Sequence, residues 1–390
     1  MTKTKKNKNI YIYLDVPVSN HQINQIFPDE FKFKKNLVFL NMSHMIFSKE
    51  QLRNFYKKIP KNEIPKKMLF FKSLNDLRLF FKKIKKSDIF IFYNYIISLK
   101  ILNSKVSDLF KEIKCKKILI KQHSWIFPNL KKDFFSNFFS NFFEIIKYII
   151  NNIFIVDKSN NIDSDYILSF GEINKNKFAN HNPNTFYLDY PSFWIKFNPI
   201  YRSKKIITYV DENIEYSGDQ FLIKNKAQKK IKNVNSYLKK LNYFFYKTEK
   251  KLKCKIVICC KKNFRYKKNY FRGRKIVYGK TLEFISKSKL VIGHKSDALI
   301  QAIHSKSPVI LLKSKEFSVK RNFEINAKSI NLFNKKCNFL EDYNDKNIEL
   351  DISLDKEYYK KIYDKYFISK NQIKQNFHEK LTSDLKKLIL

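Results

Sequence analysis

Residues Lys289 to Leu312 read KLVIGHKSDALIQAIHSKSPVILL, one complete strand, loop, helix, strand unit. Leu290, Val291 and Ile292 form a short continuous apolar run, the pattern of a strand covered on both faces, and Gly293 ends it where a side chain would obstruct the turn. His294, Lys295, Ser296 and Asp297 lead into Ala298 to Ile303, whose Leu299, Ala302 and Ile303 share one helical face. Pro308 stops that helix and opens the next apolar run, Val309 to Leu312. Such a junction aims main-chain N–H groups and the positive end of a helix dipole at the crevice beyond the strand ends, where open α/β sheets bind anions.

Outward from this unit the same alternation continues. The second half holds apolar runs at Ile206 to Val210, Ile256 to Cys260 and Lys275 to Tyr278, with a long helix expected from about Ile223 to Leu252. In the first half, runs at Ile10 to Val16, Leu37 to Leu40, Met68 to Phe71, Ile89 to Tyr93, Ile118 to Ile120 and Ile153 to Val156 alternate with helical segments such as Asn20 to Ile26 and Leu74 to Ile84. This βαβα spacing predicts an α/β fold with two Rossmann-like domains, whose mostly parallel sheets face a central cleft. The expected divisions are a basic tail over residues 1–9, a first domain over 10–180, a linker over 181–199, a second domain over 200–355 and terminal helices over 356–390 that pack back across the domains. The linker is placed by Pro183, Pro191 and Pro199, three of the 9 prolines.

At 390 residues the chain exceeds a single small core. Its formal net charge of +44 would suit nucleic acid, but only 7 of the 79 basic residues are Arg. Readers of base edges and phosphate pairs lean on Arg, so a specific nucleic-acid partner is not expected. The excess Lys should draw anionic sugar nucleotides, membrane headgroups or acidic glycans at low salt. The 5 cysteines lack CxxC spacing and read as reduced, mostly buried thiols of a cytoplasmic protein. Neither a signal peptide nor a run of about 20 apolar residues is found. Phe134 to Ile150, FFSNFFSNFFEIIKYII, makes one wide aromatic helical face, either a core helix or one lying on a membrane surface beside Lys131, Lys132 and Lys147.

Chemistry-bearing residues gather at strand ends. Phe271 to Thr281, FRGRKIVYGKT, ends like a P-loop, but five residues separate Gly273 from Gly279 where that loop needs four. A turn at Gly279 with Thr281 as helix N-cap accounts for it better. Arg265, Arg272 and Arg274 crowd before this turn, either to neutralise phosphate or as a solvated loop. Asp211 and Glu212 end the first strand of the second half, with Asp219 after them, where they contact substrate or form ion pairs. Asp15, His21 and His123 hold similar places in the first half, so the candidates for a general base toward an acceptor hydroxyl include Asp15, His123 and Asp211.

The run from Tyr209 to Leu312, with YVDENIEYSGDQF, VICCKKNFRY, FRGRKIVYGKTLEF and SKLVIGHKSDALIQAIHSKSPVILL, resembles the carboxyl-terminal domain of bacterial surface-polysaccharide glycosyltransferases of GT-B fold, in the style of the sialyltransferase and polysialyltransferase-like groups. It covers about a quarter of the chain. The resemblance implies that His294 and Ser296 contact a donor nucleotide. Lys261 and Lys262 stand where the family carries His-Pro, and Asp297 replaces a hydroxyl residue. Donor-binding candidates are therefore Gly293, His294, Ser296, Asp297, Lys261, Lys280, Thr281 and Arg265. The resemblance further implies metal-independent transfer of a sugar, with CMP-sugars among the candidate donors, to a capsular, lipopolysaccharide or lipid-linked glycan acceptor. No cofactor is implied, peripheral contact with the inner membrane is a further expectation, and the stereochemistry stays open. Alternatives are a sugar-nucleotide epimerase resembling the UDP-N-acetylglucosamine 2-epimerases, or a non-catalytic glycan- or RNA-binding protein.

Overall fold

A computed structural model of the chain describes residues 8–15, 36–56, 68–94, 104–121, 164–170, 185–188, 206–212, 231–261, 265–266, 268–345 and 349–366. They fall into two compact units, one whose sheet ends at Leu188 and one whose sheet begins at Ile206.

The first unit is built on seven strands: β1 (Ile10–Leu14), β2 (Leu37–Asn41), β3 (Met68–Phe70), β4 (Ile89–Asn94), β5 (Lys116–Lys121), β6 (Tyr166–Phe170) and β7 (Thr185–Leu188). All pairs are parallel, in the order β3-β2-β1-β4-β5-β6-β7. Every residue of β1 is buried, which is why IYIYL reads as an unbroken apolar run. The helices include α1 (Ser43–Ile46), α2 (Lys49–Tyr56), α3 (Leu74–Phe81) and α4 (Ser104–Lys111). The start of α3 is set by Ser73, whose hydroxyl accepts from the Asp76 N–H at 3.1 Å. Its Leu77 and Phe81 enter a core with Tyr13, Phe90, Phe92 and Phe110. Tyr13 meets Phe110 edge-on at 5.0 Å, a geometry that adds ~1 kcal/mol beyond area burial.

The second unit carries β8 (Ile206–Val210), β9 (Lys255–Cys260), β10 (Ile276–Tyr278), β11 (Leu290–Gly293), β12 (Val309–Lys313) and β13 (Asn338–Phe339). Its sheet is also parallel, ordered β10-β9-β8-β11-β12-β13. Numbered within each unit, the second sheet runs 3-2-1-4-5-6 and the first the same with a seventh strand added, the doubly wound order of Rossmann-like domains. The two expected Rossmann-like domains with parallel sheets are therefore present. Its helices are α5 (Val234–Leu252), α6 (Thr281–Ser286), α7 (Gln301–His304), α8 (Val319–Phe333), α9 (Leu340–Asp345) and α10 (Lys356–Tyr366).

Several boundaries differ from the sequence reading. The long helix begins at Val234, not near Ile223, because Asn233 caps it by accepting from the Ser236 N–H at 3.0 Å, and Ile231 is held in an antiparallel bridge to Phe317. Residues 185–188, inside the expected linker, form β7 of the first sheet. β7 lies at the sheet edge, and an edge strand tolerates flanking prolines such as Pro183 and Pro191. The Thr281 hydroxyl does not cap α6: Lys280 holds the cap position and Thr281 is the first helical residue. The helix expected after Asp297 begins as a 3-10 turn, Asp297–Ile300, that passes into α7. α10 packs on the second unit, where the buried Tyr359 donates to the Ser307 carbonyl at 3.2 Å. All five cysteines are buried and none is joined in a disulfide, as expected. The expected segments at Asn20 to Ile26, Ile153 to Val156 and Phe134 to Ile150 lie outside the described residues, as does chain beyond 366. Among the described residues no helix is long and apolar enough to cross a membrane.

Candidate functional site

In an open parallel sheet the natural crevice lies beyond the carboxyl ends of the strands where the order reverses. In the second unit that place is between β8 and β11. β8 delivers Asp211 and Glu212 there, and β11 delivers Gly293, His294 and Lys295.

The Asp211 carboxylate is buried and accepts hydrogen bonds from the Tyr266 hydroxyl at 2.6 Å and the Cys260 thiol at 3.6 Å. Burial first, then this carboxylate, pushes the Cys260 thiol far above its ordinary range. Cys260 is thus a neutral donor.

Glu212 bridges the strand ends. One oxygen accepts from the Lys295 main-chain N–H and the other from Arg321 Nη2 at 3.0 Å. Burial alone would raise this carboxyl, but the Arg321 guanidinium and the amide and ammonium of Lys295 bring it below the ordinary carboxylate value. Arg321 comes from α8, whose Arg321, Glu324 and Lys328 lie three and four residues apart and so share one helical face. That face meets the β11 loop side chain by side chain. Glu324 pairs with Lys295, and Lys328 donates to the Lys295 carbonyl at 2.8 Å, the Ser296 carbonyl at 3.1 Å and the Asp297 carboxylate at 2.9 Å. Three cations and three carboxylates thus neutralise one another around a single loop.

The structure surrounds His294 with groups of the chain itself. The residue is 2% exposed and both ring nitrogens are engaged. Nδ1 lies 2.6 Å from the Leu312 carbonyl, which can only accept, so Nδ1 carries the proton. Nε2 then accepts from the Tyr237 hydroxyl at 2.6 Å, with the Tyr209 hydroxyl 3.1 Å away. Burial raises both phenols above their ordinary value and keeps them as donors. Phe317 closes over the ring edge-on at 4.9 Å. His294 is a packed histidine that ties β8, α5 and β12 together.

Its neighbours are similarly occupied. A Cβ at Gly293 would stand 2.9 Å from Leu299 Cδ2, so the glycine leaves room for the chain's own leucine. The Ser296 hydroxyl caps the following turn by accepting from the Ala298 N–H at 3.4 Å. Asp297 is exposed and pairs with Lys328.

The remaining candidates lie near the other strand ends. Gly279 adopts φ +72°, a left-handed turn that glycine enters without strain, and leads to the exposed Lys280 and half-buried Thr281. Lys261 is exposed at the end of β9. The expected Arg cluster does not converge: Arg265 stacks on the Tyr278 ring at 3.9 Å, whereas Arg274 turns back to Glu249 on α5 at 2.7 Å. In the first unit Asp15 is buried at the end of β1. His21, His123, Asp219 and Lys262 lie outside the described residues. Among the described residues no group of three His, Cys, Asp or Glu is placed to hold a metal ion. Sequence reading missed Arg321; the i, i+3, i+7 spacing of Arg321, Glu324 and Lys328 was its one signal.

Neither a family model nor a curated protein matches the chain. Among solved structures it is similar to the UDP-GlcNAc 2-epimerase of Methanocaldococcus jannaschii in complex with UDP-GlcNAc and UDP, at 11% identity and a TM-score of 0.41 over 97% of this chain and 99% of that one. It is similar to S. aureus MnaA with UDP, at 10% identity and a TM-score of 0.48 over 98% and 97%. It is also similar to Medicago truncatula UGT71G1 complexed with UDP-glucose, at 8% identity and a TM-score of 0.44 over 99% and 95%.

Proposed function

We propose that the chain is a glycosyltransferase of GT-B architecture, taking a nucleotide-activated sugar at the β8–β11 corner of its second unit and a surface-polysaccharide or lipid-linked glycan in its first. The observation that carries this reading is the repeated 3-2-1-4-5-6 order with a buried aspartate, Asp15 or Asp211, ending the first strand of each sheet. Two reversal points in one chain provide two ligand crevices, the minimum for bringing a donor and an acceptor to one protein. At the donor corner Arg321 is the cation placed to offset phosphate charge, a part that Lys261 and Lys280 support from the ends of β9 and β10. Asp15 and His123 remain the general-base candidates of the acceptor unit. The donor is a UDP- or CMP-sugar in this reading.

A second reading, a sugar-nucleotide epimerase, is favoured by the adjacent acids Asp211 and Glu212, since moving a proton off and onto a sugar carbon needs acid and base groups at the same corner. One assay separates the two. The protein is incubated with UDP- and CMP-sugars, with and without glycan acceptors, and the sugars are followed by NMR. Nucleotide release that requires acceptor supports transfer, and acceptor-independent inversion at a sugar carbon supports epimerisation. Absence of turnover together with absence of saturable nucleotide-sugar binding would contradict both.

A further inference from the structure

The corner between β8 and β11 already holds an anion, and it is the chain's own. Glu212 takes one main-chain amide, from Lys295, and one guanidinium, from Arg321, the same kinds of donor that a pair of phosphate oxygens takes. Arg321 is 9% exposed, and its Nε–H is buried without a hydrogen-bond partner, so the guanidinium keeps donor capacity that the resident carboxylate does not use. Phe317 lies against it at 4.5 Å and fixes its plane. The neighbouring pairs, Lys295 with Glu324 and Lys328 with Asp297, are complete among themselves. Withdrawing Glu212 alone would leave a guanidinium and an amide aimed at one vacated position.

We propose that Arg321 and the Lys295 amide form a seat for a diphosphate group, and that Glu212 is its resident competitor, a carboxylate that the ligand must displace to bind. The proposal rests on the reading of this corner as the nucleotide-sugar site and adds both its phosphate-binding residue and its self-blocking group. A single negative charge exchanged for Glu212 gains nothing, whereas a multiply charged diphosphate gains the unused donor of Arg321 and a larger Coulomb attraction. The seat therefore selects diphosphates over monocarboxylates and simple monoanions.

The test is calorimetric titration of inorganic pyrophosphate into the full chain at about 0.15 M salt, where scattered surface Lys are screened. Wild type is compared with Glu212→Gln and with Glu212→Gln/Arg321→Gln. Glu212→Gln is expected to bind about tenfold tighter or better, the weight of one charge-assisted competitor, and the double variant to lose that gain. Equal affinity in wild type and a folded Glu212→Gln would overturn the proposal, as would a gain that survives in the double variant. Should Glu212→Gln not fold, wild type answers through the 15N signals of its 7 arginine Nε–H groups. The signal missing from Arg321→Lys is expected to move as pyrophosphate saturates, and a signal that stays still would overturn the proposal. Nucleotide-sugar turnover by a protein whose Arg321 signal is indifferent would sink this inference alone. A pyrophosphate gain without any nucleotide-sugar binding would sink the functional reading alone.

Discussion

The first strand of each unit reads nearly alike, IYIYLD at Ile10 to Asp15 and IITYVD at Ile206 to Asp211, and both end in a buried aspartate where the sheet order reverses. What surrounds the two aspartates differs. Beside Asp211 stand Glu212 and the ion pairs of α8, a corner dense in charge that is paired within itself. On the first unit's β2, next to β1, the side chains are neutral: the Asn41 amide oxygen accepts from the Ser43 N–H at 2.8 Å, and the Ser43 hydroxyl is buried without a hydrogen-bond partner. The same winding thus carries internally paired charges beside the first strand of the second unit and neutral side chains at the end of the neighbouring β2 in the first.

The largest effect expected is on His294. His294→Ala should cost about 3–4 kcal/mol in urea unfolding, because it opens a cavity and removes the buried hydrogen bonds to the Tyr237 hydroxyl and the Leu312 carbonyl. Nucleotide-sugar affinity should change little once the protein is folded; a large loss of affinity at unchanged stability would break the contrast by making His294 a ligand. Arg321→Ala should cost about 2–3 kcal/mol, since Glu212 is left only 13% exposed without its cation. A double-mutant cycle with Glu212→Gln should recover much of that cost, and strict additivity would show that the pair does not couple. Gly293→Ala should cost about 1–2 kcal/mol through the displaced Leu299, whatever the ligand. A loss confined to ligand affinity would instead point to close approach by a phosphate.

The smallest effect is on acid stability. Glu212 has a folded value below its unfolded one of about 4.3. Between the two the unfolded chain binds more protons, so this contribution is present above about 4.3 and lost as pH falls through the folded value. Denaturant titrations between pH 6 and pH 3, roughly the range over which carboxylates protonate, should show a shallower decline for Glu212→Gln than for wild type. Identical slopes would mean that Glu212 is not held as described.

Much of the fold was legible because strands of a covered parallel sheet need apolar residues on both faces, and Ile10 to Leu14 or Leu290 to Ile292 leave no other reading. β13 has two residues and β7 hides between prolines, so neither leaves a pattern. The site was less legible because its partners are remote in sequence. His294 reads as a ligand until Tyr209, 85 positions earlier, and Tyr237 are placed against it. Gly293 reads as a tight turn, and the Leu299 side chain that lies against it is six positions on. Arg321 is marked by no motif; only its helical spacing from Glu324 and Lys328 hints at a shared partner, and that partner, Glu212, lies 109 positions away.

Hydrogen exchange with and without a saturating UDP-sugar tests the central claim most directly, read on peptides covering 290–300 and 319–328. The account predicts slower exchange in both segments, with the same ligand giving no such protection in Glu212→Gln/Arg321→Gln. Protection elsewhere in the second unit with these two segments unchanged would contradict it.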